Sequence, residues 1–424
     1  MANDIIFGPW VGGITSGSAI VKVAVAKNAS AELILSQSST LSNPERFTPT
    51  TTSASAEMKV VAFALTNLIP DKQYHFALTV GSAAPVAGRQ GRFRTFPPEN
   101  SAASFTFACA GDAKGGELFT EFSDHKVFDT IRAEQPLFFL HLGDLNYANI
   151  NSKVIADHVE TYRGVLSAPR QAELYRNVPL AYIWDDHDFC GDASDGESKG
   201  RKAARLAYQR CVPHYPLVEG EGDVPIYQAF TVGRVRFLLT DARSERSKRT
   251  LPDTAAKSIL GARQKQWLKD ELLAGKDRFP LVVWVNSVPW LGDPQKNPVD
   301  TDGWFSYSTE RAELGSFIQT KAIRNILMLS ADAHMLAIDD GSNNRAPNGT
   351  GGFPVFQASP LDRTNSKKGR PFAYSHGLFD SDDGQFGLIT VNDAGGSTVQ
   401  VVLRGRQMGS ELVSLTFDSP RAGV

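Results

Sequence analysis

An α/β domain preceded by an all-β sandwich is the architecture this 424-residue sequence predicts. Three observations carry that expectation. Short alternating runs separated by turn-forming clusters fill residues 1–98. From residue 99 to 424, longer apolar runs alternate with amphipathic stretches. The length also exceeds what one ordinary core organises, so about two domains are expected, the first covering 1–98 and the second 99–424.

In the first part, SAIVKVAVA (18–26) alternates apolar and polar positions as a half-buried strand does. AELILSQ, MKVVAFAL and YHFALTV are further strands, and the Ser, Thr, Asn and Pro clusters between them mark turns. That spacing suggests a small sandwich. GRFRTFPPENSA closes this part, its Pro-Pro and polar tail marking a linker. In the second part, SFTFACA, LFFLHLGD, LAYIWDD, VRFLLTD, FPLVVWVNS and NILMLSADAH are apolar runs that each end in polar residues. AARLAYQRCV and GARQKQWLKDELLAG are the clearest helices between them. Buried strands alternating with helices indicate an α/β domain. β texture returns at the tail in FGLITV, TVQVVLRG and ELVSLTF, while GTGGF (349–353) is a Gly-rich loop.

Composition narrows the function. Apolar residues make up 42% and charged residues 21%, as in a folded globular chain. With 44 basic and 46 acidic residues, no positive excess points to nucleic acid as a partner. No apolar run approaches the roughly 20 residues of a spanning helix, so no transmembrane segment is expected. The opening MANDIIFGPWVGG lacks the basic-then-apolar pattern of a leader. The expected location is therefore the cytoplasm by default, or the periplasm or exterior for a mature form. Three cysteines, Cys109, Cys190 and Cys211, are too few and too odd in number for a disulfide framework.

In α/β sheets, ligands bind beyond the carboxyl ends of the strands. There the sequence places Cys109-Ala-Gly-Asp112, Gly143-Asp144-Leu-Asn-Tyr147, Asp185-Asp186-His187-Asp188, Asp241-Ala-Arg243, Asn286-Ser287 and Asp332-Ala-His334. Two of the eight histidines fall at these ends. Carboxylate, phenolate, thiolate and imidazole gathered around one point suit one or two hydrolytic metal ions, whose bound water becomes a nucleophile near neutral pH. Asp144 is the natural bridging carboxylate, and Tyr147 can give a phenolate to a ferric ion. His187 can hydrogen-bond a phosphate oxygen or protonate a leaving group. Arg243 and Arg246 can hold phosphoryl oxygens.

Each element also has a plainer reading on its own. Gly-Asp is a common turn, an acidic loop is often a solvated surface, and Cys109 in an apolar strand is usually core. Arg243 and Arg246 can simply pair with Asp241 and Glu245. His75, His125, His158, His214, His376, Cys190 and Cys211 are taken as structural. What favours chemistry is the joint pattern, the same residue types at the same end of successive strands.

In order and spacing the motifs resemble the PhoD-like (alkaline phosphatase D) branch of the calcineurin-like metallophosphoesterases, distant relatives of the purple acid phosphatases. The shared features are GD-x-x-Y (143–147), WDDHD (184–188), D-x-R-x-x-R (241–246), L-G-x-x-Q-x-x-W-L (260–268), D-G-W-x-x-Y-x-x-E-R (302–311) and S-x-D-x-H (330–334). The resemblance implies a four-layer sandwich of two mixed sheets flanked by helices, preceded by a fibronectin type III-like β-sandwich. It implies hydrolysis of phosphomonoesters or phosphodiesters, with a small-molecule or lipid phosphate ester, in a phospholipase D-type reaction for some members, as substrate. It also implies two metal ions. One, often Fe3+, would be held by Cys109, Asp144, Tyr147 and His334. The other, often Ca2+ and with Zn2+ or Mn2+ as alternatives, would be held by Asp144, Asp186 and Asp332, with Asn286 nearby. The chain departs from the pattern at C-A-G-D, where Asp112 competes with Cys109 for the ligand role. Two questions stay open at this level. Trp290, Trp304, Phe305 and Tyr307 can line a diester-sized cleft or simply pack a core. The whole chain can also be a binding or adhesion module whose enzyme part has decayed, against which the intact Asp144, Tyr147, His187 and His334 speak.

Overall fold

The computed structural model describes residues 4–55, 57–81, 84–114, 122–292, 302–344, 352–363, 374–380 and 383–420. The Gly-rich loop at 349–353 lies partly outside them, since 349–351 are not described. Eight strands form the N-terminal part: β1 (Ile5–Gly12), β2 (Ala19–Ala26), β3 (Ala31–Ser36), β4 (Glu45–Phe47), β5 (Thr51–Ala54), β6 (Met58–Leu65), β7 (Gln73–Val80) and β8 (Gly91–Arg94). The closing stretch GRFRTFPPENSA begins with a strand, Gly91–Arg94, which pairs antiparallel with β7 ahead of the Pro-Pro and polar tail. The four strands β4-β3-β7-β8 make a sheet of their own. Leu33, Leu35, Phe76 and Leu78 of that sheet share one buried cluster with Val21, Val23, Val61 and Phe63 of β2 and β6. Full burial of each such side chain contributes about 1.5–3 kcal/mol.

The second part begins with β9 (Phe105–Ala110), α1 (Val127–Ala133), β10 (Phe139–His141), α2 (Ile155–Ser167), α3 (Pro169–Asn177), β11 (Leu180–Tyr182), α4 (Asp186–Phe189) and α5 (Arg201–Cys211). It continues through β12 (Gln228–Val232), β13 (Val235–Leu239), α6 (Gly261–Arg278), β14 (Leu281–Val285), α7 (Ser308–Thr320), β15 (Ile326–Ser330), β16 (Met335–Asp339), β17 (Val355–Ala358) and β18 (His376–Asp380). The tail is an antiparallel run of β19 (Gln385–Asn392), β20 (Val399–Gln407) and β21 (Ser410–Ser419). One ten-stranded sheet has the order β21-β20-β19-β9-β10-β11-β1-β2-β6-β5, and one seven-stranded sheet the order β12-β13-β14-β15-β17-β16-β18. Both mix parallel and antiparallel pairs.

Strand periodicity sets the layers, because successive side chains leave a strand on opposite faces. Phe237, Leu239, Val283, Val285, Leu327 and Leu329 join the cluster shared with the ten-stranded sheet. Their alternates Leu238, Val282, Trp284, Ile326 and Met328 join a second cluster with Leu268 and Leu272 of α6 and Leu314 and Ile318 of α7. Phe107 meets Phe237 edge-on at 5.3 Å across the sheet interface. On the far side of the first sheet, Trp10 of β1 packs on Tyr162 of α2 and Tyr175 of α3. The result is helix, sheet, sheet, helix: the four-layer sandwich expected, with the all-β part before it. Among the described residues no helix is long and apolar enough to cross a membrane.

Candidate metal centre

The parallel strands β9, β10, β11, β14 and β15 end at the same edge of the two sheets, and the polar motifs occupy the loops that follow. Two glycines allow these loops to meet. A Cβ on Gly143 (φ 109) would lie 2.6 Å from Asp185 Cβ, and one on Gly111 would lie 2.7 Å from Ala331 Cβ. Larger residues there would hold the loops apart. Asp112 N donates to Gly143 O (3.1 Å) and Ala113 N to Asp144 O (2.9 Å), fastening the loop after β9 to the loop after β10. At the third loop, Asp185 caps α4 in a reciprocal box with Asp188, so the expected strand-end loop is a one-turn helix instead.

Four residues of the set sit in left-handed backbone: Asp112 (φ 64), Asp144 (φ 54), Asp332 (φ 62) and His334 (φ 52). Such conformations are uncommon outside glycine and cluster at functional sites. Here they aim ligands at one point. Asp112, Asp144, Asp332 and His334 bring one ligand atom each within 4.8 Å of one another, and Asp144, Asp186 and His187 do the same. Asp144 belongs to both groups. Tyr147 OH is 3.5 Å from His334 Nε2, which is 3.7 Å from Asp112 Oδ1. The His187 ring lies 4.1 Å from the Tyr147 ring, and its Nδ1 is 2.6 Å from Asn149 Oδ1.

Burial, followed by the neighbouring charges of Asp186, Asp185, Asp112 and Asp188, holds the Asp144 carboxyl well above the usual carboxylate range. Tyr147 is likewise pushed up by burial and then by Asp144 and Asp112. Asp144 Oδ1 accepts His187 N at 3.2 Å. Its Oδ2 is buried and meets no hydrogen-bond donor at bonding geometry among the described residues. Crowded anions with an orphaned carboxylate oxygen at their centre fit a cation, and oxygen donors with one or two imidazoles fit hard or borderline metal ions.

The family model described as PhoD-like phosphatase matches residues 106–401, more than half of the chain. The chain belongs to the PhoD-like phosphatase family. It is similar to alkaline phosphatase D of Bacillus subtilis (strain 168), 23% identical over 312 residues that cover 63% of this chain and 52% of that protein. It thus spans about half the length of that curated relative. A solved structure of PhoD superposes with a TM-score of 0.74 at 17% identity, covering 98% of this chain and 91% of that one. Purple acid phosphatase from yellow lupin (Lupinus luteus) seeds superposes with a TM-score of 0.68 at 15% identity, covering 96% and 73%. Both likenesses concern the fold.

Within this PhoD-like fold the residues singled out by sequence divide into two sets. Asp112, Asp144, Tyr147, Asp186, His187, Asp332 and His334 converge. Asp332 groups with Asp112 and His334 rather than with Asp186. Cys109 is in neither group. It is fully buried, and a Cβ on Gly387, its partner across the strand pair, would lie 2.8 Å from its Sγ and 2.7 Å from Phe356 of the other sheet. Burial pushes its thiol far above the usual range, with a backbone hydrogen bond from Gly387 opposing. Asn286 donates to Val288 O and accepts Trp304 Nε1 (3.1 Å). Arg243 is fully buried and holds Asp185 (Nε–Oδ1 2.7 Å) and Asp302 (Nη1–Oδ2 2.6 Å). Arg246 holds Tyr307 OH (2.9 Å) and Asp302 Oδ1 (2.9 Å). Trp284, Trp290 and Trp304 form a buried edge-to-face cluster that Tyr307 joins, while Phe305 is half-buried.

In the sequence, Asp185, Asp188 and Asp302 stand out only within motifs and receive no role, and Asn149 does not stand out at all, though these residues position the candidate centre. Asp185 anchors Arg243 and accepts Ser287 Oγ (2.7 Å). Asp188 accepts Leu145 N (2.9 Å), Tyr182 OH (2.5 Å) and Asp185 N (2.7 Å). Asn149 orients His187, and Asp302 receives both arginines. Only the flanking of Asp186-His187 by two further aspartates hinted at any of this.

Proposed function

We propose that this chain hydrolyses phosphoric esters, small-molecule or lipid, at a pair of metal ions bridged by Asp144. The observation that carries this is the sharing of one buried carboxylate, Asp144, between two ligand groups. Asp112, Asp332 and His334 complete the first, with Tyr147 beside His334. Asp186 joins Asp144 in the second, with the His187 imidazole beside them. A bound pair supplies Lewis acidity to the phosphoryl oxygens and lowers the pKa of a water. Fe3+ suits the first position, where the Tyr147 phenol is at hand, and Ca2+ the second, with Zn2+ or Mn2+ as substitutes.

The remaining chemistry belongs to the protein. Asn149 presents its carbonyl oxygen to His187 Nδ1, which fixes the proton there and leaves Nε2 for chemistry. In its protonated form that Nε2 donates to a phosphoryl oxygen or to the leaving oxygen. Arg243 acts through Asp185 and Arg246 through Asp302. Both hold the loops in place instead of clasping substrate, as their burial and ion pairs support. Asp112, not Cys109, is the ligand from the first motif, because its carboxylate lies in the group and the thiol faces the inter-sheet core.

Elemental analysis by plasma mass spectrometry, paired with aryl phosphate hydrolysis, tests this. Asp144→Asn is expected to lose metal and at least about a hundredfold in rate. Asp112→Asn should lose metal, and Cys109→Ser should keep it. A fully active Asp144→Asn protein overturns the mechanism. Metal lost in Cys109→Ser but kept in Asp112→Asn returns the ligand role to the thiol.

A further inference from the structure

The candidate metal ligands follow the carboxyl ends of β9, β10 and β11, while the amino ends of the same three strands border a cavity of about 480 Å³. That volume falls within the range of small-molecule pockets, roughly 300–1,000 Å³. Residues 102–106, 135–137 and 177–179, at or just ahead of those strand starts, supply one wall. Asp71, Gln73, Arg92 and Arg94, from β7, β8 and the turn before them, supply the other. The cavity thus lies in the seam between the N-terminal β part and the α/β part, and such seams are favoured places for ligands. β9 has six residues. At about 3.3 Å of rise per residue, the cavity lies roughly 20 Å from the metal-ligand loops. A small molecule held there does not reach them.

Strand alternation sorts the groups of the second wall. Tyr74 and Phe93 are buried and stack at 5.6 Å, whereas Gln73 and its cross-strand partner Arg94 leave β7 and β8 on the opposite face. Gln73 Nε2 donates to Tyr74 O (3.1 Å) and Phe93 O (2.9 Å), which ties back the amide donor and leaves Oε1 to accept. Across the seam, Asn177 Nδ2 donates to Glu173 O (2.9 Å) and Glu173 Oε1 (2.9 Å), which leaves its Oδ1 to accept. Arg94 is braced against Asp71 Oδ1 through Nε and Nη2, both at 2.9 Å. Arg92 lies two residues away on the same face of β8. The cavity therefore holds two oriented amide acceptors and two guanidinium donors, with Phe105 and Pro136 as apolar patches between them.

That mixture decides the class of ligand. An oxyanion only accepts hydrogen bonds, so the two amide oxygens oppose it. An ammonium only donates, so the two guanidinium groups oppose it. A hydroxyl does both. Several hydroxyls on a compact ring with C–H faces meet the acceptors, the donors and the apolar patches together. We propose that the seam cavity is a binding site for a neutral saccharide, separate from the metal centre and independent of the hydrolase reading. Gln73 Oε1 and Asn177 Oδ1 accept from sugar hydroxyls, Arg92 and Arg94 donate to them, and the C–H face of the ring packs on Phe105 and Pro136.

Saturation-transfer NMR of the full chain with glucose, N-acetylglucosamine, maltose and cellobiose, followed by calorimetric titration of each sugar that gives a signal, tests the site. At least one of the four is expected to bind saturably, with Kd raised about tenfold in Gln73→Ala and in Asn177→Ala. Ala103→Trp fills the cavity while keeping every polar group of its walls, and should abolish binding. All three variants should melt near the wild-type temperature and hydrolyse an aryl phosphate at the wild-type rate. No saturable binding of any of the four sugars, or binding unchanged in all three variants, overturns the proposal. Displacement of the sugar by inorganic phosphate overturns it too, by making the cavity an anion site. Asp144→Asn separates this claim from the hydrolase reading. It should lose hydrolysis and keep the sugar, and a sugar lost in that variant would belong to the metal centre, which also overturns the proposal.

Discussion

His141 is a fully buried imidazole at the end of β10 with neither ring nitrogen hydrogen-bonded among the described residues. Burial lowers its pKa to about 3. In the unfolded chain it titrates near 6.5, so below that pH the unfolded state takes up a proton that the folded state refuses. Its share of stability is intact above pH 6.5 and drains away as pH falls toward 3. Between pH 6.5 and 5 the loss is about 2 kcal/mol. His141→Phe keeps a ring against Phe139 and Tyr182, and it should flatten the acid limb of a urea-denaturation series by that amount. An unchanged limb would assign the acid sensitivity to other groups. At this scale the candidate ligands that converge were legible in sequence because each follows an apolar run. The choice between Cys109 and Asp112 was not. Both lie in one four-residue motif, and what separates them is the face Cys109 takes in β9 and the left-handed turn at Asp112, which tertiary contacts decide.

Among the elements, α4 does more than its four residues suggest. Asp188 takes hydrogen bonds from the backbone of Leu145, which follows Asp144, and of Asp185, which precedes Asp186. One carboxylate thereby sets the spacing between two ligand loops. Asn at 188 keeps one acceptor and turns an amide N–H2 toward a donor. Asp188→Asn should cost about 1–3 kcal/mol in denaturant unfolding and about ten- to a hundredfold in kcat. Wild-type kcat in a destabilised variant would reduce the residue to a helix cap. Arg243→Met probes the other side of the same turn. It strands the Asp185 carboxylate and leaves Asp302 to Arg246 alone, a loss of about 3–5 kcal/mol when a buried pair is broken. Strands and the helices α5 and α6 followed from periodicity. The turn at 185–189 did not, since Asp-Asp-His-Asp has no apolar rhythm and its helix is made by reciprocal capping. The short edge strands β4, β8 and β18 escaped for the same reason, being too brief to show a period.

For the molecule as a whole, the two-part reading met a sheet that runs through both parts. β1 pairs in parallel with β11 through Gly12 and Leu180, so β5-β6-β2-β1 continues the sheet that carries Asp112 and Asp144. Trp10 Nε1 also donates to Cys211 O (2.9 Å), and Lys22 Nζ to Gln209 O (2.6 Å). Composition along the chain reveals where textures change, but not which strand edges meet, because register between distant strands has no local signal. We propose 1–98 and 99–424 as sequence units whose folding is joint. Residues 99–424 alone would expose the edge of β11 and the helix faces under Trp10, surfaces prone to edge-to-edge association. Size-exclusion chromatography and thermal melting of that fragment should show aggregation or a midpoint well below that of the whole chain. A soluble monomer with the full-length midpoint would establish the boundary at 98 as a folding boundary too.

The left-handed backbone at Asp112, Asp144, Asp332 and His334 has a bearing on protein engineering. Glycine is the residue that fits such a backbone without steric cost. A procedure that scores sequences on stability alone would therefore rewrite these four positions as glycine, relieving backbone strain and carboxylate crowding in one stroke. The product would be a hardier protein with the same silhouette and no ligands. Those four positions are where any consensus or thermostabilising library for this fold has to be held constant, and where sequences drifting away from catalysis would be recognised first.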